Sequence, residues 1–257
     1  MLKYPVDFND YDVRMVGKWK CPKEGGPQLL TMPNIPSPLH GKGCQPRTIL
    51  GQTEWDKIRK RTYYNAMYKC EICGCEPPKG KLHAHELFSY NYKTRVATFD
   101  RPVAVCKSCH DFIHSGRMLT CYRKGEPYYP KSYLLKTIEH GFKIISDASI
   151  DSKKKLRVYA GLLEYVRDPN LHNEMIELIN RYNIKFYIPM AGSEQAWGEW
   201  KVIINNETYN SPYKNEEEWQ EAMQEQSSHA AETFSPKKTE TDLIIEQILA
   251  EEKNSEK

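Results

Sequence analysis

Hydrophobic and polar positions change period several times along this chain. Thr53 caps a helical stretch predicted to run through Tyr68, with Trp55, Ile58 and Tyr63 on its apolar side. Lys81–Phe88 and Arg95–Phe99 read as two strands, with Ser89, Asn91 and Lys93 near the turn between them. From Lys107 the pattern becomes helical. Tyr133–His140 reads as a helix stopped by Gly141, followed by helices over Lys153–Val166 and Leu171–Tyr182 on either side of Asp168-Pro169-Asn170. Trp200–Ile204 reads as a strand turning at Asn205-Asn206. Residues 1–50 are rich in Pro and Gly, so an irregular arm with little core of its own is expected there. From Gln224 the Glu/Gln/Ser-rich composition predicts disorder, apart from a short helix over Thr241–Glu252 with Leu243, Ile244, Ile248 and Leu249 as its apolar stripe.

Charge changes this picture more than composition does. A net +3 over 257 residues conceals 14 basic against 8 acidic side chains in 51–130, and 6 against 13 in 201–257. The basic block suits a polyanion, with Lys57, Arg59, Lys60, Arg61, Lys69 and Arg117 as candidate phosphate contacts. The acidic end is expected to solvate the protein, to fold back over the basic face, or to dock on a protein partner. No apolar run approaches the roughly 20 residues of a membrane span, and Met1–Pro5 does not open a signal peptide, so a reducing cytoplasm is the expected compartment. Eight cysteines in such a compartment favour metal over disulfides.

Four of them form two pairs, Cys70-x-x-Cys73 and Cys106-x-x-Cys109, separated by 33 positions. Four thiolates close one tetrahedral zinc site, and the predicted hairpin fills the gap between the pairs. The remaining histidines need another role. His110 and His114 stand four apart on one helix face and converge on a single ion, while His83 and His85 share one strand face. Two further patterns are read as accidents: Cys106-x-x-Cys109-His110 as a haem attachment motif, and His110-Asp111-x-x-His114 as a zincin motif, whose Asp is too short to replace the Glu base.

Cys-x-x-Cys, a His-Glu pair on a strand and Cys-x-x-Cys-His-x-x-x-His together resemble the HNH endonucleases, whose ββα-metal fold grips a divalent cation between hairpin and helix. Pro38-Leu39-His40-Gly41, Pro46–Gly51, Trp55 and Arg59 are similar to the leader of phage-associated members, and Glu199–Val202 near Tyr209 to their C-terminal ends. The resemblance implies an α+β protein: an irregular arm (1–52), an HNH module with its four-cysteine zinc (53–121), a mostly helical region (122–213) and an acidic tail (214–257). It also implies DNA phosphodiester hydrolysis with a second divalent cation, Mg2+, Mn2+, Ni2+ or Zn2+, in the host cytoplasm. Two registers fit its strand motif. In one, His85 is the general base and His110, His114 and His83 hold the ion. In the other, His85 joins His110 and His114 as ligand and Glu86 stands in the place of the base; period-two alternation puts Glu86 on the opposite face. The family's middle Asn is replaced here by Asp100-Arg101. A zinc module that binds nucleic acid or protein without cutting is the alternative reading of the same residues.

Overall fold

A computed structural model describes residues 10–41, 44–151, 155–190 and 196–233, with backbone only for 226–233. Residues 1–215 form one compact unit and 216–257 a second. The first unit is α+β. Its strands are β1 (Val13–Val16), β2 (Lys18–Trp19), β3 (His83–Asn91), β4 (Val96–Val105), β5 (Arg157–Tyr159), β6 (Lys185–Pro189), β7 (Lys201–Ile204) and β8 (Glu207–Asn210). Its helices are α1 (Pro46–Leu50), α2 (Gln52–Asn65), α3 (Lys107–Ile113), α4 (Ser115–Arg123), α5 (Lys131–Asp151) and α6 (His172–Arg181).

The strands make two sheets, a parallel three-stranded one in the order β1-β6-β5 and a mixed five-stranded one in the order β2-β3-β4-β7-β8. The β3–β4 hairpin is antiparallel, and β4 leads through Cys106 directly into α3. Its register slips by one residue between Leu87↔Arg101 and Phe88↔Phe99, which leaves Asp100 as the extra residue of a β-bulge. Pro102, which has no N–H to give, lies beyond the Val96–Thr98 stretch where β7 pairs, so it withholds no ladder bond on that side. At the β7–β8 turn Asn205 and Asn206 both have positive φ, 52° and 68°, as the two-residue hairpin expected from the sequence requires.

Several elements differ from expectation; α2 follows Gly51 instead of a Thr53 cap and ends at Asn65, short of Tyr68. The arm is not irregular throughout: β1 pairs in parallel with β6, β2 extends the sheet beside β3, and Leu29, Leu30, Leu39 and Cys44 are buried in the common core. Tyr187 Oη donates to the Thr31 carbonyl at 2.6 Å, tying arm to sheet. Instead of a helix over Lys153–Val166, Arg157–Tyr159 pairs with β6 and a 3-10 helix, Ala160–Tyr165, follows. Sheet extension overrides helix propensity there, and the 3-10 repeat buries Leu162 and Tyr165 three apart. Finally, α5 passes straight through Gly141. A Cβ at that position would lie 2.2 Å from the Phe112 ring, so the glycine permits α5 to approach α3 and does not end a helix.

Core and site share these elements. Trp55, Phe112, Phe142, Tyr165, Phe186 and Trp200 are fully buried around them. In the second unit α7 (Glu216–Thr233) carries Glu216, Glu217 and Glu218 in its first turn, where the helix dipole favours acidic side chains. It continues past Gln224, where disorder was expected; Thr241–Glu252 lies outside the described residues. Among the described residues no helix is long and apolar enough to cross a membrane.

Candidate metal centres

After α2 the chain turns tightly into Cys70. Gly74 takes φ 73°, its N–H donating to the Cys70 carbonyl at 2.8 Å, while the Cys70 N–H donates to the Cys75 carbonyl at 2.8 Å. The second pair opens α3, with Cys106 as its N-cap and Cys109 one turn along. Glu71 joins the two segments: its N–H donates to the Ala104 carbonyl at 2.8 Å, and its carboxylate accepts from Ala104 N–H at 2.8 Å and from Arg101 at 2.9 Å.

The four sulfurs consequently lie within 4.8 Å of one another. Cys73 and Cys106 are 3.8 Å apart, and tetrahedral zinc–thiolate bonds of about 2.3 Å require sulfur separations of about 3.8 Å. Hydrogen bonds from Cys106, Cys109 and Cys73 hold the Cys70 thiol far below its ordinary pKa, whereas the thiols of Cys106, Cys70 and Cys73 push Cys109 far up. Donor type, number and spacing all fit one zinc ion. His140, which carries no constellation in the sequence, approaches Cys109 Sγ at 3.5 Å through Nε2. Cys75 is exposed and outside the cluster; Cys21, Cys44 and Cys121 are buried and also outside it.

A second cluster sits further along α3. His85 from β3, His110 from α3 and His114 at its C-terminal cap offer ring nitrogens within 4.8 Å of one another. Ring centroids are separated by 5.4 Å for His85–His110, 4.8 Å for His85–His114 and 4.6 Å for His110–His114. His85 is only 5% exposed, and neither of its ring nitrogens has a hydrogen-bond partner. Leaving such a group unsatisfied costs about 1–3 kcal/mol. Burial lowers His85 well below the ordinary imidazole range, with the neighbouring charges of His114 and His110 adding to it. Burial likewise brings His110 down to about 3 and His114 down to about 4. All three are therefore neutral, the form that binds a metal, and three imidazoles suit zinc, nickel, copper or iron.

The other expected site residues fall around this trio. His83 is exposed, outside the cluster, and stacked on His110 at 4.7 Å with an interplanar angle of 14°. Glu86 keeps the period-two alternation opposite Pro102 and so faces away from His85; burial raises its carboxyl pKa and the charge of Arg47 opposes that rise. Asp100 accepts from Ser89 Oγ at 2.7 Å in the bulge. Arg117 is exposed, and its charge helps to keep His114 neutral. Of the basic residues on and after α2, Lys57 pairs with Glu54 at 2.6 Å, Arg59 with Asp56 at 2.6 Å and Lys69 with Glu76 at 2.8 Å. Among the described residues Lys60, Arg61 and Arg117 form no ion pair. Beside the trio, and not anticipated from sequence, Lys107 and Tyr133 both donate to the buried Asp111 carboxylate, and Tyr133 does so at 2.5 Å.

No family model, no curated protein and no solved structure matches this chain.

Proposed function

We propose that this protein is a metal-dependent endonuclease of the HNH type, hydrolysing DNA phosphodiester bonds at the His85–His110–His114 trio. In this reading β3, β4 and α3 are the ββα-metal unit and the four cysteines are its structural zinc clip. One observation carries it: a buried His85 with two unpartnered ring nitrogens faces two neutral histidines on one helix.

When bound, a divalent ion supplies charge neutralisation on the phosphate and stabilises the leaving oxygen. The chain's own residues do the rest. His85, His110 and His114 hold the ion through neutral nitrogens, so His85 is a ligand here and not the base. Arg117 adds a cation on the following turn for the substrate phosphate. His83 stacks on His110 with its outer face in solvent; its pKa is lowered by partial desolvation, and the charges of Lys107 and Arg117 add to that against the opposing charge of Asp111. It takes the proton from attacking water, a contribution of about 100-fold or more. Glu86, on the opposite strand face, is left without that role.

Plasmid nicking by the purified protein across a panel of divalent metals tests this reading. Activity is expected in wild type, absent in His85→Ala, strongly reduced in His83→Ala and little changed in Glu86→Gln. The bulge-bound Asp100, standing where the family has its Asn, favours the non-cutting zinc module as the second reading. Wild type that binds DNA yet never nicks it with any metal supports that alternative.

A further inference from the structure

The end of α2 exposes side chains that a folded protein ordinarily buries. Tyr64, Met67 and Tyr68 are 71%, 73% and 61% exposed, and they make up half of the large apolar side chains that the described residues leave in solvent. They fall within one turn of one another.

Backbone geometry sharpens the point. Met67 N–H donates to the Tyr64 carbonyl and Tyr68 N–H to the Tyr63 carbonyl, both at 2.9 Å, the paired bonds of a Schellman closure. That closure needs a left-handed residue just after the helix, a position normally given to Gly. Here Met67 has φ 51° and Tyr68 has φ 59°. Left-handed backbone costs a non-glycine residue about 1–2 kcal/mol. A glycine at 67 would end the helix without strain, and without presenting a thioether to water. The strained pair runs directly into Lys69 and into Cys70, a member of the four-cysteine cluster. Strain combined with exposure points to use of these side chains by a ligand.

Their surroundings say which ligand. Lys60 and Arg61 lie one turn back on α2, exposed and outside any ion pair among the described residues. Lys69 is held only by an exposed pair with Glu76, worth at most about 1 kcal/mol and exchangeable for phosphate. Asp56 lies within reach of the Lys60 charge but pairs with Arg59, so Lys60 and Arg61 remain exposed cations that complement a polyanion. Tyrosine rings complement the π-faces of bases, but in a duplex those faces are already stacked and covered.

We propose that Tyr64, Met67 and Tyr68 form a stacking platform for unpaired bases, with Lys60 and Arg61 holding the backbone, so that this face binds single-stranded nucleic acid. The proposal deepens the nuclease reading by naming the substrate class, and rests on it only in taking the ligand to be nucleic acid.

Equilibrium binding of full-length protein, with no catalytic metal added, to a labelled oligothymidylate of about 20 nucleotides and to a hairpin duplex of similar length tests it. The single strand is expected to bind more tightly. Tyr64→Ala and Tyr68→Ala should each weaken it by at least about fivefold while changing duplex binding by less than about twofold. Tyr64→Phe and Tyr68→Phe keep the ring and should bind as wild type, which separates stacking from misfolding. Met67→Gly should raise the melting temperature and still weaken the single strand. Equal affinity for both nucleic acids with no effect of the alanine variants overturns the platform. So does a wild-type dimer that the alanine variants dissociate, which would make the patch a protein interface. Nicking by wild type together with either result sinks the platform alone; wild type that neither nicks DNA nor binds it in any form sinks the nuclease reading too.

Discussion

The four-cysteine clip and the three-histidine trio share one helix and the same ligand spacing limit, yet they differ in donor type, donor number and burial. The clip offers four sulfurs, one for each position of a tetrahedral ion, and its members come from two segments 33 positions apart. A closed thiolate set would leave no open position for a substrate, which suits a structural role. Among the described residues the trio supplies three imidazoles and no fourth donor within the same spacing, with exposed His83 and Arg117 at its edge. Three protein donors with a position left open are what the proposed nuclease reading requires. In the proposed reading, donor count separates scaffold from chemistry along α3.

The sharpest way to break this contrast is to remove one donor from each side. Cys70→Ser or Cys109→Ser should lose bound zinc and aggregate, because structural zinc contributes on the order of 10 kcal/mol to small modules; elemental analysis and size-exclusion chromatography report both. His85→Ala should remove nicking while the clip's zinc, the melting temperature and DNA affinity stay close to wild type. If it instead unfolds the protein, the trio is a second scaffold.

Gly141→Ala probes the packing that the two centres share. Its Cβ would sit 2.2 Å from the Phe112 ring, and overpacking of this kind costs about 1–3 kcal/mol, read as a lower denaturation midpoint. The smallest effect concerns pH. The folded pKa values of His110 and His114, about 3 and about 4, lie below the unfolded value of 6.5, so between these limits the unfolded chain binds more protons. Stability of protein stripped of any trio metal should be complete above about pH 6.5 and decline as pH falls towards 4, with His110→Gln flattening that decline. A flat profile in wild type would contradict burial of neutral imidazoles.

Much of this centre is legible in the sequence because it is local. The cysteine pairs, the β3–β4 hairpin and the i,i+4 histidines are set by short spacings that chemistry constrains. The register of His83 and His85 is not, since alternation puts both on one face. Depth decides between them: His83 pairs with Val105 at the open end of the hairpin, whereas His85 pairs with Val103 one step inside. Long-range partners are invisible for a related reason. Val13–Val16 has no strand signal of its own and gains one only from Phe186–Pro189, far along the chain. His140 meets Cys109 because α5 packs on α3, and Gly141 reads as a stop signal until Phe112 is known to press against it.

The central claim, a closed thiolate centre beside an open imidazole one, is tested most directly by titrating metal-free protein with Co2+ and recording its absorption spectrum. Two equivalents should bind, the first with intense thiolate-to-metal charge-transfer bands and the second with weak d–d bands only, lost in His85→Ala. Binding of a single equivalent, or a second equivalent that also carries thiolate bands, would contradict the account.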